Sequence, residues 1–173
     1  MKRIFLIGTL LVFTSCATSK IASNKASDFN EKISRLFVMV KGSDGAKSFF
    51  ERFTTELDTS LAQKGIESKT YYIDPLSLAP ENEINEEISS YKPNLTMVIN
   101  QTEARHNVNP YGFSLGYSST NTGATFDVKI FQPNSKTPVW RANLTADSQF
   151  GLEVSARKAC EKLIDKLIED KLL

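Results

Sequence analysis

The sequence predicts an α+β fold with an α/β-like N-terminal half, and three patterns lead to that prediction. Two apolar runs, residues 36–40 (LFVMV) and 95–100 (LTMVIN), have the composition of strands covered on both faces. Between them lie two helical patterns, so right-handed crossovers make these strands parallel neighbours in a mixed sheet. Alternating strands and an amphipathic helix follow. The predicted order is β-α-β-α-β-β-β-β-α, with an antiparallel meander after the parallel strands and a C-terminal amphipathic helix.

The first predicted helix follows the turn at residues 41–45, where Ser43 or Asp44 is the expected N-cap. Its apolar residues recur every three or four positions and place three phenylalanines on one face. These are Phe49, Phe50 and Phe53. We expect them to pack beneath the sheet rather than to bind a ligand. A glycine at position 65 has the position expected of a helix stop.

The next two elements are a charged strand and an acidic helix. Residues 66–73 alternate weakly and include Glu67 and Lys69, which is typical of an edge strand protected by charge. Pro80 then occupies the favoured first position of a helix that is rich in glutamate. Carboxylates spread around a helix do not converge on one ion, so we interpret them as a solvated face rather than a metal site.

The second half of the chain predicts a polar loop followed by the meander. Residues 101–112 are polar, and residues 113–120 alternate as a half-buried strand. Residues 121–123 (NTG) have the composition of a hairpin turn. Residues 126–130 and 140–146 also alternate, and an amphipathic helix closes the chain. Cys160 falls in the apolar stripe of that helix, so we interpret it as a buried hydrophobe rather than a reactive thiol.

Catalytic and metal-binding motifs are not evident in this sequence. His106 is the one histidine, and neither a G-x-S-x-G elbow nor an H-E-x-x-H, C-x-x-C or phosphate-loop pattern accompanies it. Glu103 and His106 could share a small site, but a solvated loop is favoured. The sequence therefore predicts no catalytic residue, no metal and no cofactor. A pair of carboxylates from distant parts of the chain is left open.

The N-terminal residues 1–16 (MKRIFLIGTLLVFTSC) combine a basic start, an apolar run and small residues before a cysteine. This pattern resembles the lipobox of bacterial lipoproteins, with Phe13 where an aliphatic residue is usual. The resemblance implies a signal peptide at 1–15 and an acylated Cys16, carrying palmitate-type chains, as the membrane anchor. Residues 16–32 are small and polar and predict a flexible tether, and residues 33–173 a single α/β domain.

Charge excludes one class of partner. The 173 residues carry 21 basic and 20 acidic side chains, so no basic excess exists to neutralise nucleic-acid phosphates. An uncleaved anchor is also disfavoured, because the N-terminal apolar run is about half the length that a spanning helix needs.

The hairpin-like stretch at residues 126–141 (FDVKIFQPNSKTPVWR) resembles one in small periplasmic lipoproteins. Their domains are similar to the N-terminal domain of the TolB family, and some serve transport systems or envelope assembly. This resemblance implies a non-enzymatic binding or assembly module at the outer membrane, facing the periplasm, with an envelope protein as partner.

The expected contact surface of such a module is the region 102–120, because loops often carry function. It contains three candidate binding residues. They are His106, Tyr111 and Phe113. Two alternatives stay open: an envelope enzyme that uses His106 or loop carboxylates, and an oligomeric structural component of an envelope transport machine.

Overall fold

The computed structural model describes residues 18–74, 76, 78, 80–110, 118–148 and 152–173. Within these residues the chain forms a six-stranded mixed sheet and three α-helices. The strands are β1 (Thr18–Lys25), β2 (Arg35–Lys41), β3 (Glu67–Tyr72), β4 (Leu95–Pro110), β5 (Ser118–Phe131) and β6 (Trp140–Ser148). The helices are α1 (Lys47–Ala62), α2 (Pro80–Tyr91) and α3 (Leu152–Glu169). Across the sheet the strands lie in the order β1-β6-β5-β4-β2-β3.

The N-terminal strands are parallel, as the sequence predicts. β2 pairs in parallel with β3 on one side and with β4 on the other. β5 and β6 then extend the sheet from β4 in antiparallel pairing. The two apolar runs are therefore neighbours inside the sheet, and the charged strand β3 forms one edge. The predicted fold class, α+β with a mixed sheet and a C-terminal amphipathic helix, is confirmed.

One face of the sheet bears the hydrophobic core, which α1 and α3 cover. The three phenylalanines of α1 are buried there, and the rings of Phe49 and Phe50 lie 4.9 and 5.3 Å from that of Phe126 in β5. Burying one such side chain contributes roughly 1.5–3 kcal/mol. Cys160 lies in the same core, and burial raises the pKa of its thiol to about 12. The predicted packing roles of these residues are confirmed.

On the opposite face, α2 packs over the edge of the sheet that β2 and β3 form. Phe37 is fully buried there, and its ring lies 6.0 Å from that of Tyr91 in α2. Lys69 of β3 donates to Glu87 of α2 at 2.6 Å. Part of the acidic face of α2 is thus paired with the edge strand instead of being wholly solvated, because both lie on the same side of the sheet.

The N-terminal segment differs from its expected form. We expected a flexible tether over residues 16–32, whereas Thr18–Lys25 forms β1, an edge strand antiparallel to β6. The segment lacks a strong hydrophobic period, so its sequence does not indicate a strand. The backbone of β6 nevertheless pairs with β1 along the whole length of β1. These backbone hydrogen bonds depend little on the side chains of β1.

The β4–β5 region also differs from the expectation. The polar residues 101–110, predicted as a loop, continue β4 after a bulge. The predicted turn at 121–123 lies inside β5, where Gly123 pairs with Arg105. Of the predicted strand 113–120, residues 113–117 lie outside the described residues and the rest belong to β5. Pairing between distant strands thus overrides the local turn signal.

The ends of α1 show one further difference. Ser43 precedes a short 3-10 turn (Asp44–Ala46) without a side-chain capping bond, and the N-cap of α1 is Ala46. The hydroxyl and amide of Ser43 instead donate to the side chain of Gln101 in β4, at 3.0 and 2.9 Å. At the other end, Gly65 has φ +75°, as a glycine beyond a helix stop requires.

A single carboxylate ties β1 to the body of the protein. Asp170, just after α3, accepts hydrogen bonds from Ser23 Oγ of β1 at 2.5 Å and from Trp140 Nε1 of β6 at 2.7 Å. Lys166 Nζ lies 3.1 Å from its other oxygen. Lys25 Nζ donates to the main-chain oxygen of Asp170 at 2.8 Å. The end of α3 therefore holds the edge strand β1 and its neighbour β6.

Replacement of Asp170 tests this cluster. Partial burial alone would raise its pKa, but hydrogen bonds from Ser23, Trp140 and Lys166 outweigh it and hold the pKa below 3.8. The carboxylate therefore stabilises the fold above that pH, and the contribution is lost as pH falls through the folded-state pKa. We expect Asp170→Ala to lower the free energy of unfolding by about 1–3 kcal/mol at neutral pH. Urea unfolding measures this free energy, and the difference between Asp170→Ala and wild type should become smaller in acid.

Asp165 supplies the matched control, because it is exposed on the same helix. We expect Asp165→Ala to change the free energy of unfolding by less than about 0.5 kcal/mol. Equal losses in the two variants would contradict the role of Asp170.

Candidate contact surface at one end of the sheet

β4 and β5 extend beyond their neighbours as a two-stranded ribbon. β2 ends opposite Asn100 of β4, and β6 ends opposite Thr122 of β5. Backbone pairing of β4 with β5 continues past both points. We call the paired residues 107–110 and 118–121 the arm. Its four residue pairs extend the ribbon by roughly 14 Å.

The arm has open backbone edges. Among the described strands, none pairs with the outer edge of β4 beyond Asn100 or with that of β5 before Thr122. A two-stranded hairpin in water is marginally stable unless another surface covers it. The arm is thus the described part of the molecule best placed to contact another surface.

Arg105 lies at the base of the arm and joins three strands. Its guanidinium lies 2.6 Å from Glu103 of β4, 2.9 Å from the hydroxyl of Thr125 in β5 and 3.1 Å from Asp147 of β6. The hydrogen bond with Asp147 is the main cause that raises the pKa of Arg105. Gly123 leaves the room required, because a Cβ there would overlap the Asp147 carboxylate.

A cavity of about 200 Å³ opens beside this base, on the core side of the sheet. Phe49 and Phe126 form part of its apolar lining, and Ser43, Gln101 and Ser155 are among its polar residues. Ser155 is 2% exposed. The lining of the cavity is mainly apolar, so the cavity suits a small apolar group.

Of the predicted site residues, the structure describes the backbone of His106. Tyr111 and Phe113 lie outside the described residues, as does Cys16. The backbone of His106 belongs to β4 and pairs with Thr122 at the start of the arm. The predicted contact region 102–120 is therefore largely a hairpin, and Pro110 and Ser118 form its last described pair.

The His106 side chain lies outside the described residues, whereas Glu103 has a described partner on its own strand. Glu103 pairs with Arg105, a residue that the sequence patterns do not single out. The pattern of residues 103–105 (EAR) does contain a signal, because side chains two apart lie on the same face of a strand. That spacing has meaning only in a strand, and the polar composition of the segment favours a loop.

Ion pairs also hold a carboxylate on the face of the sheet opposite the core. Asp127 of β5 lies 2.6 Å from Arg141 and 3.0 Å from Lys129. Burial raises its pKa, but the hydrogen bonds from both cations outweigh that effect and lower the pKa. Such a carboxylate remains ionised and is a poor general acid. Among the described residues, no group of three or more histidine, cysteine or acidic side chains has the arrangement of a metal site.

These features define a small mixed-sheet α+β domain with a two-helix layer on one face and a protruding β-hairpin. None of its described helices combines the length and the apolar character needed to cross a membrane. No family model and no curated protein matches the sequence.

Solved structures share the fold. The PelC dodecamer from Paraburkholderia phytofirmans has a TM-score of 0.54 at 11% identity, over 84% of this chain and 95% of that one. A second PelC dodecamer from the same organism, a point variant, gives 0.55 at 12% identity, over 86% and 97%. A minor lipoprotein from Acinetobacter baumannii has a TM-score of 0.42 at 9% identity, over 80% of this chain and 94% of that one. At these identities the PelC likeness shows the fold alone.

Removal of Arg105 tests the base of the arm. We expect Arg105→Ala to lower the free energy of unfolding by about 1–2 kcal/mol, because it leaves the partly buried Asp147 and the more exposed Glu103 without their cation. Amide hydrogen exchange in residues 107–110 and 118–121 should become faster than in wild type.

Arg157 is the control for this prediction. It is an exposed arginine of α3 whose pairing with Glu161 spans 4.0 Å. Arg157→Ala should change the free energy of unfolding by less than about 0.5 kcal/mol and leave exchange in the arm unchanged. Unaltered arm exchange in the Arg105 variant would contradict the proposed role.

Proposed function

We propose that this protein is a lipoprotein of the bacterial cell envelope, acylated at Cys16 and held at the outer membrane with its domain in the periplasm. The observation that supports this most is the signal pattern ending in Cys16, followed directly by folded chain. β1 begins at Thr18, so one residue separates the proposed lipid from the first strand. The domain would therefore be held close to the bilayer instead of hanging from a long tether.

The proposed role is that of a non-enzymatic binding or assembly module for another envelope protein. The arm supports this role, because its unpaired edges favour contact with a second surface. The ionised states of Asp127 and Asp170, both held by cations and hydrogen-bond donors, do not favour acid catalysis. Anchoring at a membrane would raise the local concentration of such a module near its partners.

Replacement of the cysteine tests the anchor. We expect Cys16→Ala to accumulate as an unprocessed or soluble precursor, because the acylated residue and the processing site coincide. Cell fractionation measures the distribution, and mass spectrometry of the wild-type protein should find the acyl chains on a mature N-terminus at Cys16.

Cys160 supplies the matched control for this experiment. Its thiol is buried in the core, and Cys160→Ala should be processed and fractionated as wild type. If the mature wild-type chain began elsewhere or had an unmodified thiol at Cys16, the proposed anchor would be wrong.

Self-association is the partner choice that the fold relatives favour, since the two PelC structures with this fold are dodecamers. The arm of a second copy of this chain would have the same open strand edges, and the two arms would pair through backbone hydrogen bonds. Light scattering of the purified protein in detergent should then give a mass of several chains. A mass of one chain at all concentrations tested would exclude self-association, and crosslinking in intact cells would then identify the partner.

A further inference from the structure

The cavity beside the base of the arm lies where the core-facing residues of the sheet become small. Ala104 of β4 pairs with Ala124 of β5, which pairs with Ala146 of β6, and all three line the cavity. In the next core-facing row of β5 and β6, the buried Phe126 pairs with Leu144. Large side chains therefore fill the core up to the row of alanines, and a space of about 200 Å³ is left at that row.

The cavity is closed on the inside and open beside β4. Ala146 and Ser155, which are 1% and 2% exposed, form its inner end. Ala104, Ser43 and Gly45 line the cavity and are exposed, so they form its mouth. The mouth thus lies between β4 and the loop that follows β2.

The mouth coincides with a crevice in the sheet. The chain continues from β2 through α1 to β3 on one side, whereas it continues from β4 to β5 on the other side. In open α/β sheets, ligands bind in the crevice that such diverging connections leave at the carboxyl ends of the strands. The amide and hydroxyl of Ser43 donate to Gln101 across this crevice, at 2.9 and 3.0 Å, and so fix its rim.

An open strand edge borders the same mouth. β2 pairs with β4 as far as Asn100, and no described strand pairs with that edge of β4 over residues 103–106. The edge continues directly into the arm. A segment that added to β4 there would occupy the position that β2 leaves, and its alternate side chains would point to the core side of the sheet, towards the mouth.

Resting on the proposed role as a binding module, we infer that the partner adds an extended segment to β4 along residues 103–106 and inserts one bulky apolar side chain into the cavity. An apolar cavity of about 150 Å³ holds a benzene ring, so this one has room for the side chain of phenylalanine or leucine. The rings of Phe49 and Phe126, stacked 4.9 Å apart, supply an apolar wall. In this mode of recognition the backbone bonds provide affinity, and the pocket provides specificity.

Selection from a library of short random peptides displayed on phage tests this inference. The target is the full-length protein in detergent, and the affinity of each selected peptide is then measured for wild type and variants. We expect the selected peptides to share one bulky apolar residue. Ala124→Leu fills the cavity from the sheet, and Ala104→Leu blocks it from the exposed mouth. Each variant should weaken peptide binding at least about tenfold, because the apolar side chain is no longer buried.

Ala62→Leu is the matched control. Ala62 is exposed at the last position of α1, whereas the cavity lies beside the first turn of that helix. This variant gains the same atoms and should bind the peptides as wild type does. Urea unfolding shows whether each variant is folded. In wild type, a bound peptide should also slow amide hydrogen exchange in residues 103–106.

The outcomes separate this inference from the proposal on which it rests. Peptide binding that needs the open cavity and protects residues 103–106 supports the inference. Failure to select any peptide, or equal affinity for wild type and the folded Ala124→Leu and Ala104→Leu variants, overturns it. A partner that crosslinks equally to wild type and Ala124→Leu in intact cells leaves the binding role standing and also overturns the inference. If wild type crosslinks neither to another protein nor to a second copy, the proposed role itself is wrong.

Discussion

The hydrogen bonds to the Asp170 carboxylate are the interaction on which the arrangement of this molecule most depends. β1 is an edge strand of small polar residues, and it has one strand neighbour. Hydrophobic burial therefore contributes little to its attachment, and Ile21 is its partly buried apolar side chain. Asp170, at the end of α3, compensates by accepting hydrogen bonds of 2.5 Å from Ser23 of β1 and 2.7 Å from Trp140 of β6. This contact holds the start of the folded chain in a defined register.

That register gives the two ends of the sheet different properties. One end combines the start of β1, the carboxyl ends of β2 and β4, the arm, and the first turns of α1 and α3. Since the first turns of helices leave backbone N–H groups unpaired, this end is rich in hydrogen-bond donors. The opposite end contains the turn between β5 and β6 and the last residues of the chain. Attachment at Cys16 would therefore present a particular end of the domain to the membrane.

Local sequence patterns predicted correctly those elements whose structure depends on the spacing of their own apolar residues. The three helices, the parallel apolar strands and the buried Cys160 follow from periodicity, because an apolar stripe must be covered wherever it lies. Segments 18–25 and 101–110 were misassigned, since both are polar and pair through their backbones. The Asn-Thr-Gly sequence at 121–123 suits a turn, yet it lies in β5 because β4 and β6 supply partners on both sides. Arg105 was missed for the same reason, because its three partners meet only after these strands pair.

The sequence by itself determined the fold class and the apolar core, because each depends on residues close together in the chain. Tertiary structure alone decided that β1 lies beside β6, that the expected loop is part of an arm, and that both point from the same end of the sheet. The physical reason is that a strand with a polar sequence gains its hydrogen bonds from whichever neighbour the packed core brings alongside it. No local pattern of residues specifies that neighbour.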